Sequence, residues 1–191
     1  MAHGIVSLLD AASEQTTRAL WAELDARYGL REVTQRVPWP HYSYHIAEDY
    51  DLAGLAEPLQ RVAAQTESFA ATISGLAGFE APEPVLYLAV ERNAALDALH
   101  ATLWRELGAA DLARGASPLY AAVPWQPHIT LAQRDLTLAT LRAIQAEWTG
   151  RDLRRTLWVD NLTLLYRAAD ATTHEPMMRF SLGSANNAAD D

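Results

Sequence analysis

Apolar and polar residues alternate along the chain in two periods, and the switches between them mark out the elements. Ile5 to Leu9 is a run of β character, and Asp10 or Ser13 can cap the helix that follows. Trp21, Leu24 and Tyr28 then share one helical face, which Gly29 can end. Pro38 and Pro40 forbid a helix just before His41, so Tyr42 to Ile46 reads as a strand. Leu52, Leu55, Leu59 and Val62 return to helical spacing, with Pro58 an awkward interior residue. Phe69 to Phe79 and Val85 to Val90 are strand-like on either side of a proline-rich turn. Asn93 can cap a helix bearing Leu96, Leu99, Leu103 and Leu107, closed by Gly108. Ala109 to Ala122 reads as loop, and a strand begins near His128. Leu141, Ile144 and Trp148 mark a helix ended by Gly150, while Arg155 to Tyr166 and Met177 to Leu182 read as strands.

Strands and helices mix without the regular alternation of a parallel βαβ protein. The expectation is an α+β fold with antiparallel sheets. A repeat sharpens it. Val37-Pro38-Trp39-Pro40-His41-Tyr42-Ser43 is echoed by Val123-Pro124-Trp125-Gln126-Pro127-His128-Ile129-Thr130, with Gln126 as an extra residue. Ile73-Ser74-Gly75-Leu76 begins 32 residues beyond His41, and Val159-Asp160-Asn161-Leu162 begins 31 beyond His128. Two copies of one supersecondary unit predict a bilobal domain over residues 1–183. Its lobes would be related by an approximate twofold axis, with sheets facing a central cleft and helices outside. Residues 184–191 are small and polar and read as a disordered tail.

Composition narrows the chemistry. Half of the 191 residues are hydrophobic, enough for a sizeable core, yet no run suits a membrane span. The N-terminus has no basic region ahead of its apolar run, so it reads as a strand and not a signal peptide. The absence of cysteine removes disulfides, thiol nucleophiles and thiolate metal sites, and makes cytoplasm the expected compartment. A net charge of −9 disfavours extended duplex nucleic acid. All fifteen basic residues are arginine, which directs phosphate contacts toward guanidinium geometry. A monomer acting on a small phosphate ester or an RNA terminus fits this balance.

On a strand, residues i and i+2 share a face. His41 would then project with Ser43, and His128 with Thr130, offering one imidazole and one hydroxyl from each wall. A neutral imidazole can deprotonate water while an imidazolium opposite protonates the leaving oxygen. The hydroxyls can bond the non-bridging phosphate oxygens. No metal or cofactor is needed for such a hydrolysis. By the same parity His45 lines the cleft or caps its strand, and Arg134 clamps a phosphate or stays in solvent. Trp39 and Trp125 could frame the cleft and stack a base, or pack into their own lobes.

Pro40-His41-Tyr42-Ser43-Tyr44 and Pro127-His128-Ile129-Thr130-Leu131 resemble the paired His-x-Thr/Ser-x motifs of the 2H phosphoesterase superfamily. The bacterial 2′-5′ RNA ligase or cyclic phosphodiesterase-like proteins are the group suggested. Serine replaces the commoner threonine in the first motif. The resemblance implies a bilobal α+β fold and general acid/base hydrolysis of cyclic or 2′-5′ phosphodiesters, with RNA ligation as the reverse reaction. Two other readings compete. One is a metal-dependent hydrolase using His41, His45 and His128 with Glu48 or Asp49. The other is a module that grips such phosphates without turnover.

Overall fold

The computed structural model describes residues 2–183, so the tail reading for 184–191 lies outside the described residues. The chain runs β1 (His3–Leu8), α1 (Ala11–Tyr28), α2 (Glu32–Arg36), β2 (His41–Ala47), β3 (Asp49–Tyr50) and α3 (Leu52–Gln65). It continues with β4 (Phe69–Phe79), β5 (Val85–Glu91), α4 (Ala94–Ala109), β6 (Ala113–Arg114) and β7 (His128–Gln133). The last elements are α5 (Leu138–Glu147), β8 (Arg155–Val159), β9 (Asn161–Tyr166) and β10 (Glu175–Ser181). The helix signals act as their chemistry requires. Asp10 accepts a hydrogen bond from the Ser13 N–H at 2.9 Å, and Asn93 from that of Leu96 at 2.9 Å. Gly29 ends α1 with φ 70° in the left-handed region, where a Cβ would be strained.

Two four-stranded antiparallel sheets form the body, in the orders β10-β9-β1-β2 and β7-β5-β4-β8. The fold is α+β and bilobal, and the repeat is visible in its wiring. β1-α1-β2 corresponds to β5-α4-β7, and both motif strands are the edges at which the sheets meet. After motif one, β4 crosses to the second sheet beside β5; after motif two, β8 stays in the second sheet beside β4 and β9 crosses to the first beside β1. The expected strand from Arg155 to Tyr166 is accordingly two strands. It breaks at Asp160 because its halves serve different sheets.

The helices exchange as well. α1 packs on β7 and α5 on β4, while α4 packs on β2 and α3 on β9 and β10. One continuous apolar core results, running from Ile5, Leu24 and Leu55 to Leu88, Leu141 and Leu164. Burial of this kind is the main stabilising term, at about 25 cal/mol per Å² of apolar surface. On the opposite face of the first sheet a smaller apolar cluster of Val6, Leu8 and Leu165 is covered by Val37 and Trp39. Among the described residues no helix is long and apolar enough to cross a membrane.

Candidate active site

Each motif strand carries a bulge one residue after its hydroxyl. On β2, Ser43 faces Val6 and His45 faces Ile5, so Tyr44 is the extra residue. On β7, Thr130 faces Tyr87 and Ala132 faces Leu86, so Leu131 is the extra residue. A bulge puts two successive side chains on one side and flips the parity beyond it. Tyr44 and His45 therefore both turn into the core, as do Leu131 and Ala132. Ile46 and Gln133, three residues beyond the hydroxyls, return to the open face.

His45 is thus corrected as a cleft residue. It is 2% exposed, its Nδ1 meets the Tyr50 hydroxyl at 2.7 Å, and its ring packs on Trp104 at 4.5 Å. Burial, with a smaller effect of His100, pulls its pKa to about 4. A ligand set joining His41, His45 and His128 does not form, because the bulge sends His45 to the face opposite His41. Among the described residues no group of three or more His, Cys, Asp or Glu side chains is placed to share a metal ion.

The two motif histidines are held alike. His41 Nδ1 lies 2.6 Å from the Trp39 carbonyl, and His128 Nδ1 lies 2.7 Å from the Gln126 carbonyl. A carbonyl only accepts, so both rings carry hydrogen on Nδ1 and leave Nε2 for chemistry. Burial lowers His41 to about 4 against the opposing Trp39 carbonyl; positive charge on His128 or His174 lowers it further. Burial also lowers His128, opposed by the Gln126 carbonyl. Burial thus favours the neutral form of both imidazoles.

A cavity of about 180 Å³ opens beside His41 and Ser43, walled by Gly4, Val6, Ile46 and Leu165 and by Arg36, Gln133, Arg134, His3 and His174. A Cβ at Gly4 would come within 2.8 Å of the Ile46 Cδ1 methyl, which would have to move aside. Arg134 does line this cavity, though not by strand parity. It follows the end of β7 in a left-handed conformation, φ 61°, that redirects its side chain. Arg36 and the short helix α2 were not singled out in the sequence, because five residues between two prolines and a glycine show no helical period.

The two repeat-related tryptophans have different fates. Trp39 is half-buried against Val6, Leu8 and Leu165 on the open face, its indole N–H donated to the His174 carbonyl at 3.1 Å. Trp125 is corrected as a cleft aromatic: it is 2% exposed, stacked on His100 at 3.9 Å, and faces the core. The aromatics that do flank His128 are Phe79 and Tyr87, with ring centroids at 5.3 and 5.0 Å. They come from β4 and β5, so only the strand register could have found them.

Fold and comparisons together put the chain in the class of two-histidine phosphoesterase or ligase-like proteins. The sequence profile of the 2′-5′ RNA ligase superfamily matches residues 10–171, and the chain belongs to that family. It is 26% identical over 172 residues to a Geobacillus kaustophilus protein named "Putative phosphoesterase GK0864", covering 87% of this chain and 88% of that one. The fold matches TT0787 of Thermus thermophilus with TM-score 0.65 and 17% identity, over 96% of this chain and 99% of that chain. It also matches E. coli LigT complexed with phosphate, at TM-score 0.59 and 16% identity over 96% and 98% of the two chains. LigT complexed with 3′-AMP gives TM-score 0.59 and 16% identity over 95% and 99%.

Proposed function

We propose that this protein is a metal-independent phosphoesterase that hydrolyses cyclic 2′,3′-type or 2′-5′ phosphodiesters with His41 and His128 as its general acid and base. The observation that carries the reading is the matched pinning of both imidazoles, each by Nδ1–H to the carbonyl two residues upstream. Pinning fixes tautomer and ring plane, and presents one basic Nε2 from each motif strand. Family membership and the phosphate and 3′-AMP complexes of LigT support the same chemistry.

In the reaction, Nε2 of one histidine accepts a proton from water as its oxygen attacks phosphorus. Nε2–H of the other gives its proton to the departing ribose oxygen. The phosphorus–oxygen ester bond breaks, leaving a phosphomonoester and a free hydroxyl. Ser43 and Thr130 donate hydrogen bonds to the non-bridging oxygens. The acid must carry a proton that burial disfavours, and an anionic phosphate between the rings restores it by raising both pKa values. With an RNA 5′-hydroxyl in place of water, the same base and acid would open a 2′,3′-cyclic phosphate by breaking its bond to the 3′-oxygen, which leaves a 2′-5′ linkage and a free 3′-hydroxyl. A small cyclic phosphate ester or an RNA terminus is the substrate class.

The test is incubation with 2′,3′-cyclic nucleotides and 2′-5′ dinucleotides in the presence of EDTA, with products resolved by chromatography. Monophosphate formation at an undiminished rate is expected. Binding without turnover would reduce the protein to a phosphate-binding module. Turnover lost in chelator and restored by zinc or manganese would replace the mechanism.

A further inference from the structure

The cavity beside His41 does not end at the residues that the proposed reaction uses. It is also lined by Arg36 on α2, a helix that packs on β7, and by Arg134, which follows β7. Both guanidiniums are backed by one carboxylate. Glu32 Oε1 lies 3.2 Å from Arg36 Nη1 and 3.6 Å from Arg134 Nε. Each guanidinium has further N–H groups that no other side chain takes among the described residues, so donors remain for a ligand. The two guanidiniums share the Glu32 carboxylate, and the neighbouring Asp135 carboxylate is taken up by backbone N–H groups.

The two arginine segments are bolted together rather than merely adjacent. Asp135, next to Arg134, accepts hydrogen bonds from the backbone N–H groups of Arg31 and Glu32, both at 2.8 Å. It thereby caps the start of α2. The Arg36 carbonyl at the other end accepts the His174 backbone N–H at 2.8 Å. Arg134 itself holds φ 61°, a conformation that costs a non-glycine residue energy and tends to persist where a side chain has a task. A cavity of about 180 Å³ is smaller than the roughly 300–1,000 Å³ of sites that enclose a nucleoside-sized ligand. It suits a phosphate group.

We propose that the Arg36 and Arg134 end of this cavity, beyond the end where His41 and Ser43 meet the scissile phosphate, is a subsite for a second phosphate of the substrate. The inference rests on the phosphodiester reading above and narrows it to substrates that carry two phosphates. The second could be a terminal phosphomonoester on a small nucleotide or the next internucleotide linkage of an RNA end.

Calorimetric binding tests this without relying on turnover. The probes are a nucleoside 3′-phosphate, the matched 3′,5′-bisphosphate, and a dinucleotide with a 3′-phosphate. The expected result is about tenfold tighter binding of the bisphosphate or the dinucleotide, from added charge-assisted hydrogen bonds. Arg36→Gln and Arg134→Gln should each bring that ratio toward one. Preference for the bisphosphate alone identifies a terminal phosphate, and preference for the dinucleotide alone the RNA linkage. Equal binding of all three probes by the wild-type protein overturns the subsite, whether or not cyclic phosphates are hydrolysed. A clear preference in a protein that hydrolyses no cyclic phosphate leaves the subsite standing and removes the hydrolase reading.

Discussion

The Trp125 indole donates its Nε1–H to the Ser43 backbone carbonyl at 2.9 Å, tying the approach to one motif to the hydroxyl residue of the other. Two more indoles act on the same seam. Trp104 on α4 donates to the Tyr44 carbonyl at 3.1 Å, and Trp21 on α1 to the Thr130 carbonyl at 3.2 Å. Edge strands present carbonyls that no neighbouring strand takes, and β2 and β7 are such edges. The exchanged helices α4 and α1, and for Trp125 the segment leading into β7, put tryptophan N–H groups where a further strand would otherwise pair. The backbone beside each bulge is thereby fixed without closing the cleft.

Trp125→Phe keeps a ring against His100 but loses the N–H. Its expected cost is about 1–2 kcal/mol of stability, from leaving a buried carbonyl unpaired. Turnover should fall several-fold more than that of a surface substitution of equal stability cost, because Ser43 loses its anchor. Urea unfolding with kcat on a cyclic nucleotide checks both. An unchanged kcat in the folded variant would mean that the β2 backbone needs no support from Trp125.

Removal of either motif imidazole should be far more severe. His41→Ala and His128→Ala are each expected to lower turnover by roughly two to four orders of magnitude. The matched pinning of the two rings argues that neither is dispensable. Single-turnover assays of the folded variants measure this. Turnover near wild type in one of them would take that histidine out of the chemistry.

Acid should destabilise the protein ahead of any carboxylate effect. His41 and His45 have folded pKa values near 4 against an ordinary 6.5, so between those limits the unfolded chain binds more protons. Stability is then fully present above pH 6.5 and falls as pH drops toward 4. His45→Gln should flatten part of this slope, since that ring is buried away from any ligand. Denaturation midpoints at intervals from about pH 7.5 to about pH 4.5 give the slope. A flat profile over that range would show that neither ring resists protonation.

Much of this was legible in the sequence because it depended on local chemistry. The caps at Asp10 and Asn93, the stop at Gly29 and the proline-guarded strand starts at His41 and His128 all lie where residue types put them. The repeat announced the bilobal arrangement. What parity could not reach was anything beyond the bulges at Tyr44 and Leu131, which arise from pairing with β1 and β5. Counting through a bulge gives His45 the wrong face. Trp39 and Trp125 look equivalent, yet Gln126 sets Trp125 one residue further from its histidine, and it turns into the core. Arg36 reaches the cavity through tertiary packing, and Phe79 and Tyr87 reach His128 through strand register, which local sequence does not show.

The pH dependence of catalysis should separate imidazoles from hydroxyls. kcat/KM reports the free enzyme, in which burial holds both His41 and His128 below their ordinary pKa. The rising limb, set by the base losing its proton, should therefore lie below pH 6.5. The falling limb, set by the acid losing its proton, should also be displaced to acid. A phosphate anion bound between the rings, as proposed, would raise both values. The kcat profile should then sit at higher pH than the kcat/KM profile, with both bell-shaped. Ser43 and Thr130 carry no titrating charge in this range, so they cannot set a limb. Ser43→Ala and Thr130→Val should lower the whole curve by about one to two orders of magnitude, somewhat less than loss of a strong oxyanion donor. Thr130 should cost at least as much as Ser43, because a β-branched side chain on a strand holds its hydroxyl in fewer rotamers. The measurement is a set of pH–rate profiles on one cyclic substrate for wild type, the two hydroxyl variants and the two histidine variants. If a hydroxyl variant erases a limb that its neighbouring histidine variant retains, the roles assigned to imidazole and hydroxyl must be exchanged. If kcat and kcat/KM share the same limbs, bound phosphate does not recharge the site, and the acid must be protonated by another route.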